Sequence, residues 1–176
     1  MASVVLVSIL GSDRVGLVAA IADHLFDAGA NLRDTSFATL GSGAEFVSLC
    51  ELPEGVGAAE VEQGLQALPD LAGAQVRVVP YGFDPDPSPA GLVTHRIAVS
   101  GGDQLGLVAR LADVFRQYEA NIVRLEARKL PEAEGGLYVT RFAVSIRPDR
   151  EGACLATVTN TAGSLGLASE IERSRF

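Results

Sequence analysis

The residues best suited to chemistry lie in two glycine-bounded segments, residues 11–17 and 101–107, with the sequences GSDRVGL and GGDQLGL. A glycine-bounded turn that leads into a helix presents free backbone N–H groups and the positive end of the helix dipole, so it attracts an anion. Asp13 and Asp103 add a carboxylate to each segment, which repels phosphate and attracts a cation. A ligand that satisfies both features carries an anion and a cation together, as a free amino acid does.

An asparagine follows each segment at a fixed distance, since Asn31 and Asn121 come 18 residues after Asp13 and Asp103. Both residue types also have a structural interpretation. An aspartate at a helix N-cap stabilises the helix by about 1 kcal/mol, and an asparagine can end a helix in the left-handed conformation. The recurrence of the whole set favours ligand binding. A strand–helix unit does not bring the asparagine near the aspartate, so a shared site is expected to need a second copy of the unit.

An internal repeat accounts for this recurrence. Residues 11–31 align with residues 101–121 without a gap at a constant offset of 90, and 10 of the 21 positions are identical. Chance agreement over such a length is about one or two positions at ordinary residue frequencies. We therefore interpret the chain as a tandem duplication.

Each copy predicts the element order βαββαβ. Apolar residues at helical spacing follow each glycine segment and predict a helix with one buried face; they are Leu17, Ile21 and Leu25 in copy one, and Leu107, Leu111 and Phe115 in copy two. The predicted strands are 4–10, 33–40, 45–52 and 75–79, then 96–99, 123–130, 137–147 and 167–172, and the second helices are 58–68 and 151–162. This order predicts an α+β fold of two tandem ferredoxin-like domains, with antiparallel sheets and helices on one face.

The predicted domains comprise residues 1–82 and 92–176. Three of the nine residues between them, 83–91, are proline, which predicts a semi-rigid extended linker. Turn-forming sequences at residues 41–44 and 131–136 are expected to join the two middle strands of each domain.

The charge of the chain argues against nucleic acid as a direct partner. The formal net charge is −8 and the sequence pI is near 4.7, whereas a domain that neutralises phosphates needs a basic stripe. The charge is uneven, because residues 1–88 hold 3 Arg against 12 acidic residues, and residues 89–176 hold 11 Lys and Arg against 10.

The sequence offers little for catalysis. His24 and His95 have no Ser or Cys nucleophile at an informative spacing and are expected to face solvent. Cys50 and Cys154 lie far apart in apolar sequence and are expected to be buried, reduced thiols. We therefore expect no catalytic residue, no metal site and no cofactor. Apolar runs are too short to span a membrane, so the protein is expected to be cytoplasmic and not membrane-bound.

The pattern G-x-D-x-x-G-L-V…A-N in a βαββαβ frame resembles the ACT domain, a small-molecule regulatory module found with amino-acid metabolism. The resemblance covers nearly the whole chain as two tandem copies. It implies that the loop after the first strand and the residue just after the first helix grip an amino acid across the interface of two ACT domains. The residues at those positions are Asp13, Gly16, Leu17 and Asn31, and Asp103, Gly106, Leu107 and Asn121.

The two copies differ in how closely their loops follow the family pattern. Copy one departs from the common Asp-Arg-Pro-Gly only at Val15, whereas copy two has Gln104 and Leu105 in place of Arg-Pro. We therefore expect copy one to hold the better site. The expected function is a homodimeric regulatory protein that senses a small amino acid, glycine or similar, and regulates a protein partner such as a DNA-binding regulator. Two alternatives stay open: an oligomerisation scaffold without a ligand, and a regulatory subunit of an enzyme of amino-acid metabolism.

The candidate surface for a protein partner is a set of arginines in copy two. Arg124 and Arg128 alternate with apolar residues along the predicted strand 123–130, so they lie on one face, and Arg141 of the next strand has the parity to join them. A solvated sheet surface, or one that meets the acidic first copy, would explain this pattern. Our hypothesis is a docking surface, because arginine is enriched at protein interfaces.

Overall fold

The computed structural model describes residues 3–86, 88–131 and 136–174. It forms two compact units, Met1–Asp86 and Pro87–Phe176, each with its own hydrophobic core. Pro87 of the predicted linker and residues 132–135 of the predicted second turn lie outside the described residues.

Both units have the element order βαββαβ, as predicted, with boundaries that differ from the predicted ones by a few residues. Unit 1 consists of β1 Ser3–Ser12, α1 Leu17–Asp27, β2 Asn31–Leu40, β3 Gly43–Leu52, α2 Ala58–Gln66 and β4 Gln75–Pro80. Unit 2 consists of β5 His95–Gly101, α3 Leu107–Gln117, β6 Asn121–Lys129, β7 Tyr138–Ser145, α4 Glu151–Ser164 and β8 Ala168–Arg173. Short 3₁₀ turns at Pro69–Leu71 and Pro89–Gly91 precede β4 and β5.

Each unit contains one four-stranded antiparallel sheet, with strand orders β2-β3-β1-β4 and β6-β7-β5-β8. Because β1 and β2 are both antiparallel to β3, they run in the same direction, and β1 ends beside the β2–β3 hairpin. The register jumps between Leu32 and Thr35 in β2, and between Ile122 and Arg124 in β6. The same β-bulge therefore occurs in both copies.

The predicted helix faces form the cores. Leu17, Ile21 and Leu25 of α1 are buried in one cluster with the alternate residues of β1, and the corresponding residues of α3 are buried in the cluster of unit 2. Burying a side chain of this size contributes about 1.5–3 kcal/mol to stability, so these stripes fix each helix on its sheet.

The strand registers define equivalent positions in the two units. Leu6 pairs with Leu49 in unit 1, and Arg96 pairs with Ala143 in unit 2, so β1 and β5 differ by 90 residues and β3 and β7 by 94. By this correspondence, Thr140 occupies the core position of Phe46, and Phe142 occupies that of Ser48. The ring of Phe142 packs against Phe115, with centroids 5.2 Å apart. Thr140 is fully buried, and its hydroxyl has no hydrogen-bond partner among the described residues.

The structure excludes the N-cap interpretation of the aspartates. Gly16 and Gly106 are the N-caps of α1 and α3, with φ angles of 88° and 77°, and neither helix has a side-chain cap hydrogen bond. Asp13 and Asp103 lie three residues earlier in the chain. Only glycine adopts this left-handed conformation without strain, so the second glycine of each segment has a backbone role.

The interpretation of the asparagines as helix ends is also wrong. The left-handed residues after α1 and α3 are Gly29, at φ 73°, and Glu119, at φ 53°. Asn31 and Asn121 are instead the first residues of β2 and β6. Their side chains are therefore not needed to end the helices.

The expectation that both histidines face solvent is wrong for His95, which is 2 % exposed. It shares the core-facing parity of Ile97 and Val99 in β5, and its Nδ1 lies 3.0 Å from the Thr94 hydroxyl. Its Nε2 lies 3.4 Å from a carboxylate oxygen of Glu151, at the start of α4. His24 is half-buried, with its ring against Gly64 of α2.

Candidate functional site

The loop between β1 and α1 presents an unpaired carboxylate beside a helix N-terminus. The backbone N–H of Asp13 donates to the carbonyl of Ser42, 3.1 Å away, which fixes the loop against the β2–β3 hairpin. The side chain of Asp13 makes no hydrogen bond or ion pair with any described residue. The N–H of Leu17 donates to the carbonyl of Arg14, 3.3 Å away, and Gly16 supplies no capping side chain, so the N–H groups of Val18 and Ala19 stay available to an anion.

The equivalent loop of unit 2 differs because its carboxylate already has a cationic partner. Lys129, at the end of β6, places its ammonium 3.1 Å from an oxygen of Asp103. The position equivalent to Lys129 in unit 1 is Thr39, which carries no charge. The lysine therefore occupies the position at which the ammonium of a ligand would meet Asp103.

Both loops expose one apolar side chain completely. Val15 and Leu105, at equivalent positions, retain all of the surface they have in an extended chain. Leu17 and Leu107, in contrast, are buried in the two cores. The leucines can therefore offer a ligand only their backbone, whereas Val15 and Leu105 can contact another molecule.

The structure does not bring each asparagine to the aspartate of its own unit. Asn31 pairs with Glu51 of β3, and Glu51 pairs with Val4 near the start of β1. Asp13, in contrast, follows the end of β1. Eight residues of strand separate those ends, which is about 26 Å. In unit 2, Asn121 and the Lys129 that contacts Asp103 lie at opposite ends of β6. A single site containing both residue types needs a second ACT-like unit.

Asn121 contacts the linker directly, whereas in unit 1 the contact with the linker is made by Arg33, two residues after Asn31. The side-chain N–H of Asn121 donates to the carbonyl of Ala90 over 2.7 Å. In unit 1, Asn31 lies 3.5 Å from Glu51, whose carboxylate also pairs with Arg33 at 3.0 Å. The second nitrogen of Arg33 reaches Asp86 at 2.7 Å, and this hydrogen bond raises the pKa of the guanidinium. Each end of the linker is thus held by the unit next to it.

The register places the three predicted partner-binding arginines on the solvent face of the second sheet. Arg124 is level with Ala143, and Arg128 with Val139, across β6 and β7. Arg141 lies between these two rows, opposite Glu126.

A cavity of about 280 Å³ lies on this face and includes charged residues that the sequence analysis did not single out. Arg96 of β5 and Glu170 and Glu172 of β8 line it together with Arg124, Glu126 and Arg141, and the alanines Ala98 and Ala143 are also among its lining residues. Alternation along β5 and β8 places these charges on the outer face. The strand order brings these charged residues together, and the local sequence pattern does not reveal that order.

The described residues include neither a cluster of potential metal ligands nor a membrane-spanning helix. No group of three or more His, Cys, Asp or Glu side chains there could hold a metal ion. No helix in the described part of the chain is both long enough and apolar enough to cross a membrane. Cys50 and Cys154 are buried and unpaired with each other, as predicted.

Comparisons with known proteins agree with this architecture. Residues 3–79 match the family model of the ACT domain. The crystal structure of an unknown protein from Galdieria sulphuraria superposes with a TM-score of 0.77, at 24% identity, over 99% of this chain and 100% of that one. A protein provisionally named a glycine cleavage system transcriptional repressor gives a TM-score of 0.70, at 14% identity, over 100% of this chain and 99% of that one. No curated protein matches the sequence significantly.

At these identities the two structural relatives establish the fold. The family model covers the first unit, and the second unit repeats its element order and strand order. The first unit is therefore an ACT domain, and the chain as a whole has the tandem ACT fold.

Proposed function

We propose that this protein is a cytoplasmic, non-enzymatic regulator that senses a small amino acid, glycine or one of similar size, at an interface between two ACT domains. The ligand carboxylate binds the N–H groups at the start of α1, and its ammonium pairs with Asp13. Asn31 or Asn121 of the opposing domain completes the site, because neither reaches the loop of its own unit. A homodimer supplies such opposing domains.

The observation that carries this proposal is the unpaired state of Asp13. The aspartate does not cap α1 and has no hydrogen-bond or ionic partner among the described residues, so its carboxylate is available to a ligand. Its equivalent Asp103 pairs with the ammonium group of Lys129, which supports the pairing of a carboxylate at this position with an ammonium group. The exposed Val15 beside it supports closure of the loop by another domain.

The proposed output is contact with a protein partner, for which a DNA-binding regulator is the candidate. The name of the second structural relative supports a role in transcription, and the acidic chain favours an indirect one. Arg124, Arg128 and Arg141 form the proposed contact surface. Arg124→Glu with Arg128→Glu is expected to abolish recovery of the regulator that the wild type captures, with Arg110→Glu, on α3, as the matched control.

The test of the sensing function is thermal unfolding, monitored by circular dichroism, in the presence of each of the twenty amino acids. A ligand at about 100 times its Kd raises the stability of the folded state by about 2.7 kcal/mol. We expect one or a few small amino acids to raise the melting temperature. If none does, the protein is not an amino-acid sensor.

Titration calorimetry then assigns the site. We expect Asp13→Ala to lower the affinity for the stabilising amino acid strongly while leaving the melting temperature of the free protein nearly unchanged, because Asp13 is not a cap. Asp23→Ala, on the exposed side of α1, removes the same charge from the same unit and serves as the control. Unchanged affinity in the Asp13 variant would place the ligand elsewhere.

A further inference from the structure

The geometry points to a second binding site, for a basic amino acid such as lysine, ornithine or arginine, in the cavity on the solvent face of the second sheet. This site is separate from the loops at the helix N-termini and does not depend on the function proposed for them. Three arginines and three glutamates line the cavity: Arg96, Arg124 and Arg141, and Glu126, Glu170 and Glu172.

The charges surround a floor of two small side chains. Ala143 lies between Arg124 and Arg96 across the sheet, and it is two residues from Arg141 along β7. Ala98 lies between Arg141 and Glu170. Ala143 and Ala98 are themselves diagonal neighbours on β7 and β5, and such neighbours are about 7–8 Å apart in an antiparallel sheet. The floor thus has one end ringed by three guanidinium groups and another end bordered by a carboxylate of β8.

The six charged side chains form no ion pairs with one another. The register places Arg141 opposite Glu126, and Arg96 opposite Glu172. Nevertheless, none of the six forms an ion pair or a side-chain hydrogen bond with any residue in the described part of the chain. Their hydrogen-bonding capacity is therefore available to a ligand.

The first unit shows that the fold does not require these charges. Through the strand registers, Arg96, Arg141, Ala143 and Glu172 correspond to Leu6, Val47, Leu49 and Val79. The same sheet thus forms with apolar residues at these four positions, whereas Arg124 and Glu170 correspond to the charged residues Asp34 and Arg77. The fold therefore does not require charge at the four positions, and the full set of six charges is a property of the second unit's sequence.

The arrangement of the charges selects the ligand. A ligand carboxylate at the Ala143 end would accept hydrogen bonds from the guanidinium groups, because a guanidinium can donate two parallel hydrogen bonds to the two oxygens of a carboxylate. Glu126 borders that end and can accept from the α-ammonium. A second cation about 7–8 Å along the floor would meet Glu170 and Glu172, a separation that a long basic side chain spans. The cavity of about 280 Å³ is of the size expected for a free amino acid rather than for a drug-sized molecule.

The test is titration calorimetry of the full chain with L-lysine and with L-norleucine, which lacks the side-chain ammonium. The first variant, Glu170→Gln with Glu172→Gln, is expected to lower the affinity for lysine about tenfold or more and to leave that for norleucine unchanged. The second, Arg124→Gln with Arg141→Gln, is expected to weaken both ligands. All four residues are exposed, so the variants are expected to fold, which their circular dichroism spectra will check.

Two controls separate this site from the loop site. Arg110→Gln, on α3, removes one arginine from another surface and should leave lysine binding unchanged. Asp13→Ala should also leave lysine binding unchanged, whereas it should strongly lower the affinity for the small amino acid. The proposal is overturned if lysine, ornithine and arginine give no binding up to about 10 mM, or if the glutamate variant weakens lysine and norleucine equally.

Discussion

The imidazole ring of His24 occupies the space into which a side chain at Gly64 would project, so α1 and α2 approach each other at a position where α2 has no side chain. A Cβ atom built on Gly64 would overlap Nε2 and Cε1 of the ring. Gly64 is an ordinary helical residue without a positive φ, so its role is to make room for His24 rather than to form a turn.

This contact predicts a coupling between two substitutions. Alanine is favoured over glycine in a helix by about 1 kcal/mol, but in the wild type the displaced ring of His24 offsets that gain. We expect Gly64→Ala to be neutral or destabilising in the wild type and to stabilise the His24→Ala variant by about 1 kcal/mol, as measured by urea unfolding. Equal effects in the two backgrounds would show that the ring moves aside at no cost.

The hydroxyl of Thr140 predicts a stabilising substitution. It is fully buried without a hydrogen-bond partner among the described residues, and such a group costs about 1–3 kcal/mol. Thr140→Val replaces it with a methyl group of similar shape, so we expect the free energy of unfolding to rise by about 1 kcal/mol. Thr140→Ser, which keeps the hydroxyl and loses the methyl, should lower it. A destabilised valine variant would contradict the unsatisfied state of the hydroxyl.

The two buried thiols predict a loss of stability at alkaline pH. Burial raises the pKa of Cys50, against a smaller lowering by its hydrogen bond to Ser48, and burial alone raises the pKa of Cys154, from an ordinary value of 9.0. The unfolded chain therefore loses these protons first. The stabilising contribution is fully present below about pH 9 and is lost as the pH rises through the folded-state pKa values.

We expect the free energy of unfolding to fall above about pH 9 more steeply in the wild type than in a Cys50→Ala, Cys154→Ala variant, which corrects for titration of tyrosine and lysine. Iodoacetamide at pH 8 should modify neither thiol in the native protein and both in urea. Rapid alkylation of the native protein would contradict the burial of the thiols.

The ion pair between Lys129 and Asp103 predicts that a second loop site can be unmasked. In Lys129→Met the carboxylate of Asp103 loses its only ionic partner among the described residues. We expect the number of bound molecules of the stabilising amino acid per chain to rise in titration calorimetry, while the affinity of the first loop is unchanged. Arg116→Met, which breaks a comparable exposed pair on α3, should leave the stoichiometry unchanged.

The fold could be predicted from the sequence because its signals are local and occur twice. The stripe from Leu17 to Leu25 is repeated from Leu107 to Phe115, and each is preceded by glycine. The burial of His95 also had a local signal, because it alternates with Ile97 and Val99 along β5. That alternation outweighs the general tendency of histidine to be exposed.

The candidate sites were less predictable for two physical reasons. The roles of Asp13 and Gly16 depend on which residue adopts the left-handed conformation, and N-cap preferences favour aspartate over glycine. The cavity depends on strand pairing between residues such as Arg96 and Ala143, which are far apart in the chain. Alternation shows that each residue faces outward, but it does not show which residues become neighbours.

In the proposed sensing function, Lys129 would act as a tethered competitor at the loop of unit 2. A group held on a short flexible connection has an effective concentration in the millimolar range, and any amine that reaches Asp103 must first displace it. Asp13 has no such competitor, so the same metabolite would fill the two loops at different concentrations. Under the proposed function, the duplication would therefore give one chain two response thresholds, with the higher threshold set by a single lysine.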